Sequence, residues 1–286
     1  MIIQFMISVV ALIMTSCNTT FPTQTNFKNP SKVCELPAEL MEISGITDVD
    51  GKTVACVQDE LGDVFIYDLE NCTVIEQITF EGPGDFEGLT RVGNDMYALR
   101  SDGAMFKIVF NENGKPDVQQ IDTKIPALDN EGLCYDEKHN RLLLAPRRKY
   151  TDKAFEKSFR AIYAFDLATE KMMDKPALQI SVSEVLELVE RKKDIELFRK
   201  GGTGEVKFKF NIASIAAHPE KELYYLLISS EQFLLTVDGQ GKPLDVLPLD
   251  NQMFPKPEGI TFLDAKSLVV SSEGGDTNPV LALFSL

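Results

Sequence analysis

Three Glu-Gly pairs, Glu87-Gly88, Glu131-Gly132 and Glu258-Gly259, recur in one local context along a chain of 286 residues. Each is followed by an aliphatic residue and then a small one: Leu89-Thr90, Leu133-Cys134 and Ile260-Thr261. Carboxylates brought to one place by repeated units repel one another, so a proton or a cation must settle among them. Calcium suits such a set, because it accepts several carboxylate and carbonyl oxygens in loose geometry, whereas magnesium prefers to keep its water. The competing role is structural: a repeated glutamate that bonds the backbone of the next unit and fixes the ring.

The repeat has five members, adding Ile43-Ser44-Gly45-Ile46-Thr47 and Ile212-Ala213-Ser214-Ile215-Ala216 to the three Glu-Gly segments. Aligned on Ser44, Glu87, Glu131, Ala213 and Glu258, the steps are 43, 44, 82 and 45 residues, the long step holding one insertion. A period of roughly 40 to 50 residues is that of a four-stranded propeller blade. The expected fold is therefore all-β, a five-bladed β-propeller. Each segment leads into a polar turn and a second apolar strand, such as Val54–Val57 or Leu142–Ala145, and then into a third, such as Val64–Leu69 or Ala161–Leu167. The last unit lacks a fourth strand, which would leave an open edge. Val33 to Leu36 is expected to fill that place and close the ring. In the third-to-fourth blade connection, at about 181–200, Ser181 and Glu184 have capping-box spacing, which predicts one helix. Gly201-Gly202-Thr203-Gly204 ends it and lacks the context of a phosphate-binding loop.

In a propeller the first strand of each blade lines the channel, and the second runs back antiparallel to it. The channel position is therefore Ser44, Glu87, Glu131, Ala213 and Glu258. Two residues earlier, on the same side of an extended strand, stand Glu42, Asp85, Asp129, Asn211 and Lys256. The second strands end on that rim at Asp59-Glu60, Ser101-Asp102, Arg147-Arg148-Lys149, Ser229-Ser230-Glu231 and Ser271-Ser272-Glu273. The candidate metal or ligand set is Glu87, Glu131 and Glu258 with Ser44, Asp85, Asp129, Glu42, Glu60, Glu231 and Glu273. Arg147 and Arg148 either pair with these acids or hold an anionic ligand. His139 and His218 fall in turns at the opposite face, which argues against a Ser-His-Asp nucleophile or a His-bound metal at the acidic rim.

Residues Ile2 to Met14 are almost wholly apolar but fewer than the roughly 20 that a spanning helix needs. With Thr15 and Ser16 before Cys17, the segment resembles a bacterial lipoprotein signal, so residues 1–16 are expected to be removed and Cys17 lipidated. Residues 17–31 read as a tether and 32–286 as the propeller. The expected location is the envelope of a Gram-negative bacterium, anchored in a lipid bilayer at the periplasmic side or outer membrane. The formal charge of −15 excludes nucleic acid as a partner, and a monomer is expected. Cys34, Cys56, Cys72 and Cys134 match no metal module; they read as buried thiols, with a Cys56 to Cys72 bridge as the alternative.

The Glu-Gly-Leu/Ile segments, the Ser-Ser-Glu strand ends and the Ala216-Ala217-His218-Pro219 turn, in this order, resemble the SdiA-regulated (YjiK-like) family of bacterial envelope proteins. That resemblance covers about Val33 to Leu286. It implies a five-bladed propeller, an envelope location, a calcium connection and no established reaction. Three functions follow as expectations: non-catalytic binding of calcium or a small polar ligand at the rim, a metal-dependent hydrolase of phosphoesters or lactones, or a protein-docking scaffold.

Overall fold

The computed structural model describes residues 27–111, 115–192, 208–275 and 277–286. Cys17, most of the tether and Gly201-Gly202-Thr203-Gly204 lie outside the described residues. Five antiparallel sheets stand around a common axis, and each is built from a meander. The first blade is Ile43–Asp48, Thr53–Gln58, Asp63–Asp68 and Thr73–Thr79. The second is Phe86–Val92, Asp95–Arg100, Ala104–Val109 and Asp117–Asp122. The third runs Ala127–Asp136, Arg141–Tyr150 and Phe159–Asp166, its outer place shared by Lys171–Met172 and Leu178–Ser181. The fourth is Ile212–Ala217, Leu223–Ile228, Phe233–Asp238 and Pro243–Pro248.

The fifth blade, Lys256–Asp264, Ser267–Glu273 and Val280–Ser285, takes its outer strand from Lys32–Glu35. Val33 pairs with Ala282 and Cys34 with Leu281. The ring closes as the missing strand required, so the sheet keeps no open inner edge. The second and third strands are buried on both faces, because blades stack face to face and each buries its neighbour's aliphatic side chains. Leu226, Leu227, Leu234 and Leu235 are wholly buried.

Two features of the repeat have a steric cause. A Cβ on Gly88 would stand 2.7 Å from Leu133 Cβ and 2.8 Å from Glu131 O, and one on Gly259 would stand 2.6 Å from Ser44 O. The first strands of adjacent blades thus meet backbone to backbone at the axis, and only glycine fits. One step further along, Thr47 Oγ1 accepts the N–H of Arg91 at 3.1 Å and Thr90 Oγ1 accepts that of Tyr135 at 2.9 Å. These hydroxyls stitch the first blade to the second and the second to the third.

The predicted insertion helix is present from Val182 onward, and a shorter helix precedes it. We label them α1 (Lys153–Ser158) and α2 (Val182–Arg191). Helix α2 is capped by the Ser181 hydroxyl, which accepts the N–H of Glu184, and it buries Val185 and Val189. Helix α1, capped by Asp152, is not visible in the apolar pattern because none of its residues is fully buried. It follows a second strand that runs five residues past the expected end at Ala145 and carries Arg147, Arg148 and Lys149.

The cysteine reading requires correction. Cys34 and Cys72 form a disulfide, while Cys56 and Cys134 are free and buried. Cys56 sits in the core of the first blade, where burial pushes its thiol up to about 12. Cys72 lies in the turn after Asp68, next to the closing strand. Ring closure brings the two sulfurs together, a proximity that linear spacing does not reveal. The bond fastens the closing strand to the first blade. Reduction, or Cys72→Ser, should cost about 2 to 4 kcal/mol and lower Tm by several degrees in a thermal melt; an unchanged Tm in dithiothreitol would contradict this fastening role.

Candidate functional site

In all five blades the ladder between first and second strands slips at the aligned channel position. The slips fall between Ile43 and Ile46, Phe86 and Gly88, Asn130 and Gly132, Ile212 and Ser214, and Pro257 and Gly259. The extra residue of a β-bulge breaks the two-residue alternation and re-aims its side chain. Here the extra residues are Glu87, Glu131, Ala213 and Glu258, with Ser44 in the first blade, so the expected channel set is brought together. Ser44 Oγ donates to Glu87 Oε2 at 2.9 Å across a blade boundary. Arg147 Nη1 donates to Glu131 Oε1 at 3.0 Å, and Glu131 is 3 % exposed.

Burial, then the Glu131 carboxylate, raises the proton affinity of Glu87. Burial pushes Glu258 up to about 8, with Arg147 opposing and Glu273 and Glu87 adding to the shift. Burial acts upward on Glu131 too, but the guanidinium at 3.0 Å makes it the ionised partner. Burial thus favours the protonated form among these three glutamates, and Arg147 opposes it most directly at Glu131.

Above these glutamates, toward the rim, the oxygens of Glu42, Asp59 and Glu273 lie within 4.8 Å of one another. Glu42 and Asp59 face each other across one hairpin, the Asp59 N–H donating to Glu42 O at 3.2 Å. Glu273 comes from the fifth blade, where it is 8 % exposed and accepts from Lys256 Nζ at 2.7 Å. Asp59 Oδ1 and Ser229 Oγ are buried with no hydrogen-bond partner among the described residues. Burial, then Glu42 and Glu273, pushes Asp59 up to about 6. Asp59, Glu87, Arg147, Ser229, Lys256, Glu258 and Glu273 line one cavity of about 280 Å3. The donor set fits calcium: oxygens about 2.3 to 2.6 Å from an ion stand up to about 5 Å apart, and one buried oxygen lacks any other partner.

The remaining candidates stand outside this group. Asp85 accepts from the Ser101 hydroxyl and lies exposed at the rim beside Glu87. Asp129 is held by Arg148 at 3.3 Å and Lys149 at 3.5 Å. The Arg147-Arg148-Lys149 group thus pairs with acids. Glu60 is a correction: it is exposed, because its N–H and that of Leu61 donate to Gln58 Oε1 and turn the chain outward. Glu231 is another, since its carboxylate accepts the Lys209 N–H at 2.9 Å and does not line the cavity. Asp59, not Glu60, joins Glu42 and Glu273. Pairing Asp48 with Val54 and counting straight back sets Glu42 against Glu60; the one-residue slip between Ile43 and Ile46 sets it against Asp59 instead.

At the opposite end of the channel lies a larger cavity of about 680 Å3. Ile46, Leu89, Leu133, Ile215 and Ile260, one from each blade and two residues beyond the channel position, form its floor and are 1 to 3 % exposed. This aliphatic ring separates the two ends. Both histidines belong to the far end, as their turn positions require. His139 Nδ1 lies 2.9 Å from Asp136, which also receives Arg141 Nε and the Tyr224 hydroxyl, each at 2.8 Å.

Fold and site together define a five-bladed propeller with one acidic, blind channel end. The profile of the SdiA-regulated family matches residues 32–276, and the chain belongs to that family. A search of curated proteins finds no match. Among solved structures, the chain is similar to Myxococcus xanthus glutaminyl cyclase, with 12% identity, TM-score 0.57, and coverage of 90% of this chain and 97% of that one. It is also similar to a PQQ-bound aldose sugar dehydrogenase from Streptomyces coelicolor, with 11% identity, TM-score 0.56, and coverage of 90% and 97%. A luciferin-regenerating enzyme gives 10% identity, TM-score 0.54, and coverage of 90% and 96%. At these identities the likeness is one of fold.

A carboxyl whose folded-state pKa exceeds its unfolded value takes up a proton on folding, so stability falls as pH rises through that interval. In buffer containing chelator, Tm should rise as the pH is lowered between about 8 and the ordinary glutamate value of 4.5. Glu258→Gln should flatten the slope; a wild-type Tm that is flat or falls over that range would contradict the assignment.

Proposed function

We propose that this chain is a non-catalytic binding propeller of the cell envelope, tethered through lipidated Cys17, that holds a calcium ion at the acidic end of its channel. The observation that carries the reading is the convergence of Glu42, Asp59 and Glu273 within 4.8 Å, with Asp59 Oδ1 buried and unpartnered. Glu42, Asp59 and Glu273 would hold the ion, with Ser229 Oγ as a neutral oxygen beside them. A bound cation would neutralise the repulsion that raises Asp59 and would leave room in the cavity for a small polar ligand over it. The Cys34–Cys72 disulfide supports export, since such bonds persist in oxidising compartments.

Binding is favoured over hydrolysis by how the carboxylates are engaged. Glu131 is tied to Arg147 and Glu87 accepts from Ser44, which leaves few groups free to activate water. Thermal melts and calorimetry with millimolar calcium test the reading. Calcium at a hundredfold excess over Kd should stabilise the fold by about 2.7 kcal/mol, and Asp59→Asn should weaken binding at least about tenfold. A melt unchanged by calcium would contradict the proposal.

A further inference from the structure

The far cavity, walled off from the acidic end by the aliphatic ring, has a built wall of its own. His218 lines it and is 6 % exposed. Its Nδ1 accepts the N–H of Glu220 at 3.1 Å and of Lys221 at 3.2 Å, which fixes that nitrogen as an acceptor. In the neutral ring the proton must then sit on Nε2. Burial, and after it the Lys221 charge, lowers the pKa of His218, so the neutral tautomer persists at neutral pH. The Nε2–H points away from the turn and has no hydrogen-bond partner among the described residues. Phe262 packs on the same ring at 5.2 Å between centroids and also lines the cavity.

Most charges around the cavity are matched, while Glu137 and Asp264 line it as exposed carboxylates with no ion pair among the described residues. Arg91 binds Asp48 at 2.7 Å, Arg141 binds Asp136 at 2.8 Å and Lys138 pairs with Glu222. Lys221 makes no ion pair among the described residues, and its sequence neighbour Glu220 offsets it. An anion set over the aliphatic floor would lose water without gaining a counter-charge, a large cost, and a cation set there would face the His218 N–H donor instead of an acceptor. A neutral ligand avoids that cost and can use both the apolar floor and the one unused donor.

We propose that the far cavity is a second binding site, for a small uncharged molecule that lays an apolar face on the Ile46, Leu89, Leu133, Ile215 and Ile260 ring and offers a carbonyl oxygen to His218 Nε2–H. The site is independent of any cation at the acidic end.

The chain has two histidines, and His139 does not line the cavity, so it serves as an internal control in imidazole NMR spectra. Three probes share one ring and differ in charge: cyclohexanecarboxamide, cyclohexanecarboxylate and cyclohexylammonium. The carboxamide should shift the His218 signals saturably and bind at least about tenfold more tightly than either charged probe, with His139 little affected. Ala216→Leu, which adds bulk at the cavity wall, should weaken carboxamide binding, while Lys221→Gln should leave it unchanged. Absence of a saturable His218 shift with the carboxamide, or tighter binding of a charged probe to the wild-type protein, would overturn the proposal without recourse to the variants.

Discussion

The close approach of five first strands at the channel axis is the constraint from which the rest of this structure follows. Adjacent strands meet at backbone distance where Gly45, Gly88 and Gly259 stand, and no other residue fits there without displacing a neighbouring chain. Each strand also bulges at that level, and the bulge turns the residue before the glycine inward. The Glu-Gly pair is thus one device with two parts. Glycine permits the ring to close tightly, and the bulge aims a carboxylate at the axis.

The electrostatics follow from that geometry. Glutamates aimed into a narrow, half-dry channel cannot all remain ionised, and the single guanidinium among them, Arg147, pairs directly only with Glu131. Burial raises the proton affinity of the others, and the rim acids Glu42, Asp59 and Glu273 gather where the same convergence continues outward. The aliphatic ring below makes this chamber blind. It also frees the opposite end of the channel to have an unrelated chemistry, in which most charges are paired and the floor is apolar. The two ends of one channel are therefore chemically distinct.

The period, the blade count and the closing strand were legible in the sequence because strands are short, apolar and evenly spaced, and because a ring leaves no free edge. The capped start of α2 was legible in Ser181 and Glu184. Helix α1 was not, since it is anchored by a polar cap and buries no side chain fully. The channel glutamates were legible from alignment alone. The cluster of Glu42, Asp59 and Glu273 was only partly so, because it joins residues of the first and fifth blades, and Gln58 turns Glu60 outward while leaving Asp59 in place. The disulfide was illegible for a related reason: Cys34 and Cys72 become neighbours only when the ring closes.

Crystals soaked in calcium, with anomalous scattering measured at long wavelength, test the central claim most directly. The account predicts one peak bounded by Glu42, Asp59 and Glu273, within ligand distance of Asp59 Oδ1. A channel end without such a peak, or with the Lys256 ammonium in that place, would contradict it.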